Sequence, residues 1–170
     1  MRIGLKLFLF FLLTTVLHWG LMAMLGGWDI SLNLMLVFAL AVCAFVKPEY
    51  GYPTAFICGL FLDFFGVKLF GHYAFMFTLC AAIVYSLETR VDFDSVVPQM
   101  ACIGVLALLS AIGNLILLKV FAGFSAWNGF WPFIGGIILS ALIAPAVFWV
   151  VRSAFTVKLK HINACHKDLF

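Results

Sequence analysis

The chain has 170 residues, of which 66% are hydrophobic and only 10% charged, and its mean hydropathy is +1.20. Soluble domains carry roughly a quarter charged residues, so this composition excludes one. At about 20 apolar residues per membrane-spanning helix, the length holds about six spans with short loops and no appended catalytic domain. The formal charge of +3 comes from basic residues scattered over several loops and the C-terminal tail, which gives nucleic acid no basic face to bind.

The N-terminal Arg2 and Lys6 precede LFLFFLLTTVLHWGLMAML. That apolar run is longer than the core of a cleaved signal peptide, so an uncleaved first span over about residues 7–25 is expected. It ends at Gly26 and Gly27, because glycine destabilises helix interiors. His18 lies inside this span with no other histidine at ligand spacing and reads as a packing residue. The second span, about residues 30–46, has Asp29 and Ser31 as candidate caps and Asn33 near its start. KPEYGYP follows and reads as a tight turn.

The third span, about residues 52–67, is short and carries Gly51, Ala55, Gly59 and Asp63 at four-residue intervals, with Gly66 close to the same face. Small residues at that spacing let a second helix approach closely, which in lipid replaces the missing hydrophobic drive. Asp63 is the only acid within a span. A charge at the centre of a membrane helix costs about 2.5 to 3.5 kcal/mol on insertion scales, so Asp63 is expected to face protein. Its candidate partners are Lys68, His72, Asn114 and a turn backbone.

The fourth span covers about residues 72–87 and leads to the polar loop ETRVDFDS, where Asp94 or Ser95 is a candidate cap for a fifth span over about residues 98–121. Gly104, Ala107, Ala111 and Asn114 share one face of that helix, small and polar and therefore interior. The sixth span, about residues 130–151, repeats Gly136, Ser140 and Ala144 at four-residue spacing and then meets Pro145, a candidate kink. Residues 1–155 thus form a single six-helix transmembrane domain, and residues 156–170 a short basic tail.

Orientation follows from the loop cations. With the N-terminus cytoplasmic, Arg2, Lys6, Lys47, Arg90, Arg152, Lys158, Lys160 and Lys167 lie inside, against Lys68 and Lys119 outside. Both termini are therefore expected in the cytoplasm. Trp19, Trp28, Trp127 and Trp131 then gather at the outer interface and Trp149 at the inner one.

Little in the sequence supports catalysis. One carboxylate cannot form an intramembrane aspartyl dyad, and HExxH, GxSxG, CxxC and P-loop patterns are absent. Ser110 and Ser140 have no neighbouring histidine and are expected to bond backbone carbonyls. The five cysteines, Cys43, Cys58, Cys80, Cys102 and Cys165, show no metal spacing and read as small apolar filler. No metal and no cofactor is expected.

The segment GLFLDFFG followed by a short turn to GHYAFMFTLCAAIVY places Gly59, Asp63, Gly66 and Gly71 in a fixed pattern. That pattern resembles the signature region of the bacterial rod-shape-determining protein MreD family. SLNLMLVFALAV is similar to the family's second span, with Ser31 where the family usually carries proline. Asn114 and the Ala144-Pro145 pair ahead of Arg152 resemble it as well.

The resemblance implies an all-α polytopic protein of the bacterial inner membrane, not an enzyme. Such a protein holds a single-span MreC and helps join MreB filaments to the peptidoglycan elongation synthases, with Gly59, Asp63, Gly66, Gly71 and Asn114 as its packing or partner-binding residues and no small-molecule substrate. The family is similar in fold to the vitamin-binding S components of energy-coupling-factor transporters, which are the alternative. Those components typically carry an AxxxA pair on the first span, and this chain has none there.

Overall fold

The computed structural model describes residues 3–25, 33–65, 70–87, 95–123 and 130–155. They form six helices: α1 Ile3–Leu25, α2 Leu34–Phe45, α3 Pro48–Phe65, α4 His72–Leu87, α5 Val96–Ala122 and α6 Phe130–Phe155. No strand occurs among the described residues.

The bundle is built around α2. Its sequence LMLVFALAVCAF is apolar on every face, the pattern of a helix enclosed on all sides. Leu34 to Cys43 are buried without interruption, and α2 packs against each of the other five helices. The large residues Phe38, Phe77, Phe148, Met35 and Leu40 fill the centre. Outward faces carry Phe8, Val16, Phe64, Val105, Val120, Leu142 and Trp149 exposed, a surface suited to lipid rather than water.

Three helical stretches are long and apolar enough to cross a bilayer: Ile3–Met24, Val96–Phe121 and Phe133–Phe155. Six spans were expected. The apolar helices α2 and α4 have only 12 and 16 residues, about 18 and 24 Å at 1.5 Å per residue, against a hydrocarbon core of about 30 Å. Hydropathy cannot separate a lipid-crossing helix from one enclosed by protein, and α2 is enclosed.

Helix boundaries correct two expectations. KPEYGYP is not a turn: the chain reverses within Val46 and Lys47, and α3 begins at Pro48. Proline at the first helical position loses no hydrogen bond, and Lys47 accepts from the amides of Tyr50 and Gly51 at 3.0 and 3.1 Å. The cap of α2 is Asn33, whose side chain accepts from the Leu36 amide at 3.4 Å; the expected caps Asp29 and Ser31 lie outside the described residues. Ser95 sits at the cap position of α5 but makes no side-chain cap bond, and Asp94 lies outside the described residues.

Helix α6 runs on through Pro145 to Phe155. Near its end Ala154 accepts a hydrogen bond from Lys6 Nζ at 3.1 Å. A lysine at a helix C-terminus answers the partial negative charge there, and this contact brings the start of α1 and the end of α6 to the same end of the bundle.

Candidate functional site

Helices α3 and α4 form an antiparallel hairpin with the most extensive contact in the molecule. Gly51, Ala55, Gly59 and Asp63 are all buried, as the four-residue spacing requires of one helix face. A Cβ built on Gly59 would lie 2.5 Å from Ala74 Cα and 2.6 Å from both Ala74 N and Tyr73 O. Only glycine permits that approach. At the other end of the hairpin a Cβ on Gly51 would collide with the Tyr85 hydroxyl, which donates to the Val46 carbonyl at 2.9 Å.

Asp63 lies one turn beyond Gly59 and uses the same proximity. Its two carboxylate oxygens accept separately from the backbone amides of Tyr73, at 3.1 Å, and Ala74, at 3.0 Å. His72 Nδ1 lies 2.9 Å from Oδ1. Tyr73 and Ala74 are the second and third residues of α4, the positions at which an N-cap side chain normally accepts. The α4 cap residue is Gly71, whose carbonyl accepts from Phe75 at 3.0 Å. Gly71 has φ +93° and no side chain with which to cap. Asp63 supplies from α3 the oxygens that Gly71 lacks, beside the positive end of the α4 dipole.

The structure therefore brings Gly59, Asp63 and Gly71 into one arrangement and keeps Asn114 apart from it. Of the partners considered for Asp63, His72 and the backbone after the turn are the ones it meets. Gly66 and Lys68 lie outside the described residues. With Asp63 2% exposed and both oxygens engaged, the carboxylate acts as a helix cap. The stripe expected to pack against another helix or to receive a partner protein packs against the chain's own α4.

Asn114 borders a partly open cavity of about 280 Å³ lined by residues of α5 and α6 together with Asn33 and Leu36 at the start of α2 and Tyr73 of α4. Ser110 and Ser140 also line it. Tyr73 belongs to both places: its amide donates to Asp63, and the residue borders the cavity. Ser140 donates to the Gly136 carbonyl at 2.7 Å, as expected. Ser110 departs from that expectation: its hydroxyl is buried with no hydrogen-bond partner, and so is Asn114 Oδ1. The signal was present in the sequence as a serine and an asparagine four apart on one helix face.

The cysteines Cys43, Cys58 and Cys80 are free and buried, and Cys102 is free and half-buried; Cys165 lies outside the described residues. His18 is buried on α1 against Trp19. Among the described residues no three His, Cys, Asp or Glu side chains are grouped to hold a metal. No family model matches the chain, and no curated protein or solved structure is significantly similar to it.

Proposed function

We propose that this chain is a non-enzymatic scaffold of the bacterial inner membrane, of the MreD type, which holds a single-span MreC-like protein and couples it to MreB and the elongation synthases. The observation that carries this reading is the Gly59, Asp63 and Gly71 arrangement. Three of the residues that carry the resemblance, Gly59, Asp63 and Gly71, share one physical task, fixing the α3–α4 hairpin. In this reading all six helices traverse the membrane, with α2 shielded by its neighbours and both termini cytoplasmic, as the distribution of loop cations favours.

Because α4 covers the glycine stripe, the partner's helix needs another seat. The apolar crevice between α1 and α3, lined by Leu7, Phe8, Phe11, Tyr50, Pro53 and Ile57, supplies one. Gly4 at its edge has nothing within 4 Å of a built Cβ, so bulk there is tolerated by this fold and intrudes only on a visitor.

Depletion of the protein should round rod-shaped cells, and unchanged elongation would sink the assignment. Purification from intact membranes should bring along a coiled-coil single-span protein, and Gly4→Trp should reduce that capture without lowering accumulation. Co-purification of an ATPase module with nanomolar vitamin binding would instead identify the transporter alternative.

A further inference from the structure

We propose that the cavity between α2, α4, α5 and α6 is a binding site for a small neutral molecule in which a ring carries an amide or hydroxyl group. The first ground is what the cavity lacks. An engineered cavity of about 150 Å³ lined by apolar side chains stays dry and takes benzene. This one is larger, about 280 Å³ and partly open, and five residues with polar side chains, Asn33, Tyr73, Ser110, Asn114 and Ser140, line it.

The second ground is that two of the five are unsatisfied. Ser110 Oγ and Asn114 Oδ1 have no hydrogen-bond partner, in residues 1% and 8% exposed. Leaving such a buried group unpaired forfeits the bonds it would make in water and is destabilising. The other two buried helix hydroxyls among the described residues avoid that cost locally, Thr14 by donating to Phe10 O at 2.8 Å and Ser140 to Gly136 O at 2.7 Å. The equivalent carbonyl for Ser110, that of Leu106, is approached instead by Cys80 Sγ at 3.8 Å. Ser110 and Asn114 are four residues apart, hence side by side, and together offer a hydroxyl and an amide to one ligand edge.

The lining also fixes the ligand's charge and shape. Among the described residues no Lys, Arg, His, Asp or Glu borders the cavity, so a charged ligand would meet no counter-charge from them, where that is costly. Tyr73 and Phe133 on its walls favour a ring, which aromatic faces and edges pack against. The site binds rather than reacts, since among the described residues no nucleophile with an adjacent base lines it. It shares Tyr73 with the α3–α4 clamp and no lining residue with the α1–α3 crevice, and none of its grounds depends on the scaffold reading.

The test uses the full chain in lipid nanodiscs, with radiolabelled benzamide in equilibrium dialysis and empty nanodiscs as the blank. Isopropylbenzene, of the same size without polar atoms, serves as competitor. Benzamide should bind saturably, isopropylbenzene should compete at least tenfold more weakly than unlabelled benzamide, and Asn114→Leu should weaken benzamide at least tenfold. Ser110→Ala should weaken it several-fold and decides the matter if Asn114→Leu does not fold. Three results would overturn the proposal: no saturable binding, which leaves a cavity for water only; equal competition by isopropylbenzene; or unchanged benzamide affinity in the folded variants.

Discussion

Gly59 offers the sharpest quantitative test, because one added methyl group acts on two interactions together. In Gly59→Ala the new Cβ would sit 2.5 Å from Ala74 Cα, where ordinary contact begins near 3.4 Å. Backbone atoms cannot rotate aside, so α4 has to retreat by about 1 Å. Asp63 lies one turn along the same face, and its bonds to Tyr73 N and Ala74 N, now 3.1 and 3.0 Å, would lengthen to about 4 Å, beyond hydrogen-bonding distance.

Overpacking costs about 1 to 3 kcal/mol, and the weakened bonds to a carboxylate add about 1.5 kcal/mol or more each. A loss of about 4 to 6 kcal/mol or more is therefore expected, large against the stability of most folded proteins. The buried thiols of Cys43, Cys58 and Cys80 provide the assay: a thiol-reactive fluorophore reports their exposure as the purified protein is heated. Gly59→Ala should label at a much lower temperature than wild type, and adding Asp63→Ala should cost far less in that background than alone. Wild-type labelling of Gly59→Ala, or additive effects in the pair, would refute the coupling.

Two further outcomes follow from the same hairpin. Asp63→Asn should not be silent, since both oxygens of Asp63 accept from N–H groups and an amide nitrogen would face one donor with another; a loss of about 1 to 3 kcal/mol is expected in the thiol assay. Gly51→Ala should be strongly destabilising in wild type, where the Tyr85 hydroxyl occupies the space, and less so in a Tyr85→Phe background, which by itself should cost about 1 kcal/mol for the lost bond to Val46 O; labelling temperatures of the single and double variants check both.

The hairpin's buried face was legible because helical periodicity is local. Gly51, Ala55, Gly59 and Asp63 had to share a face if the segment was a helix, and a lone acid in that setting had to point inward. Its partner was less legible. Asp63 serves amides ten and eleven residues later, across a turn whose geometry no window of sequence contains. KPEYGYP misled because Pro48 at a first helical position looks, in sequence, like proline in a turn. The run ending at Val46 was legible as an apolar helix and no further: hydropathy records that α2 avoids water and is blind to whether lipid or five protein helices surround it. The cavity needed four helices to be placed before Ser110 could be distinguished from Ser140, two serines with the same expected habit and different surroundings.

The three residues of the clamp also constrain one another. A helix whose first turn is buried in protein, as His72 and Ala74 are, must satisfy its first amides there, because water is not at hand to do so. Serine or aspartate at the cap residue would ordinarily serve, but position 71 has φ +93°, a conformation that disfavours any side chain. The cap must then come from elsewhere in the chain, and a carboxylate on an adjacent helix reaches only if the two backbones nearly touch. Gly59 provides that approach. The turn needs Gly71, Gly71 creates the need for Asp63, and Asp63 depends on Gly59, so no one of the three can be replaced by a local remedy at its own position.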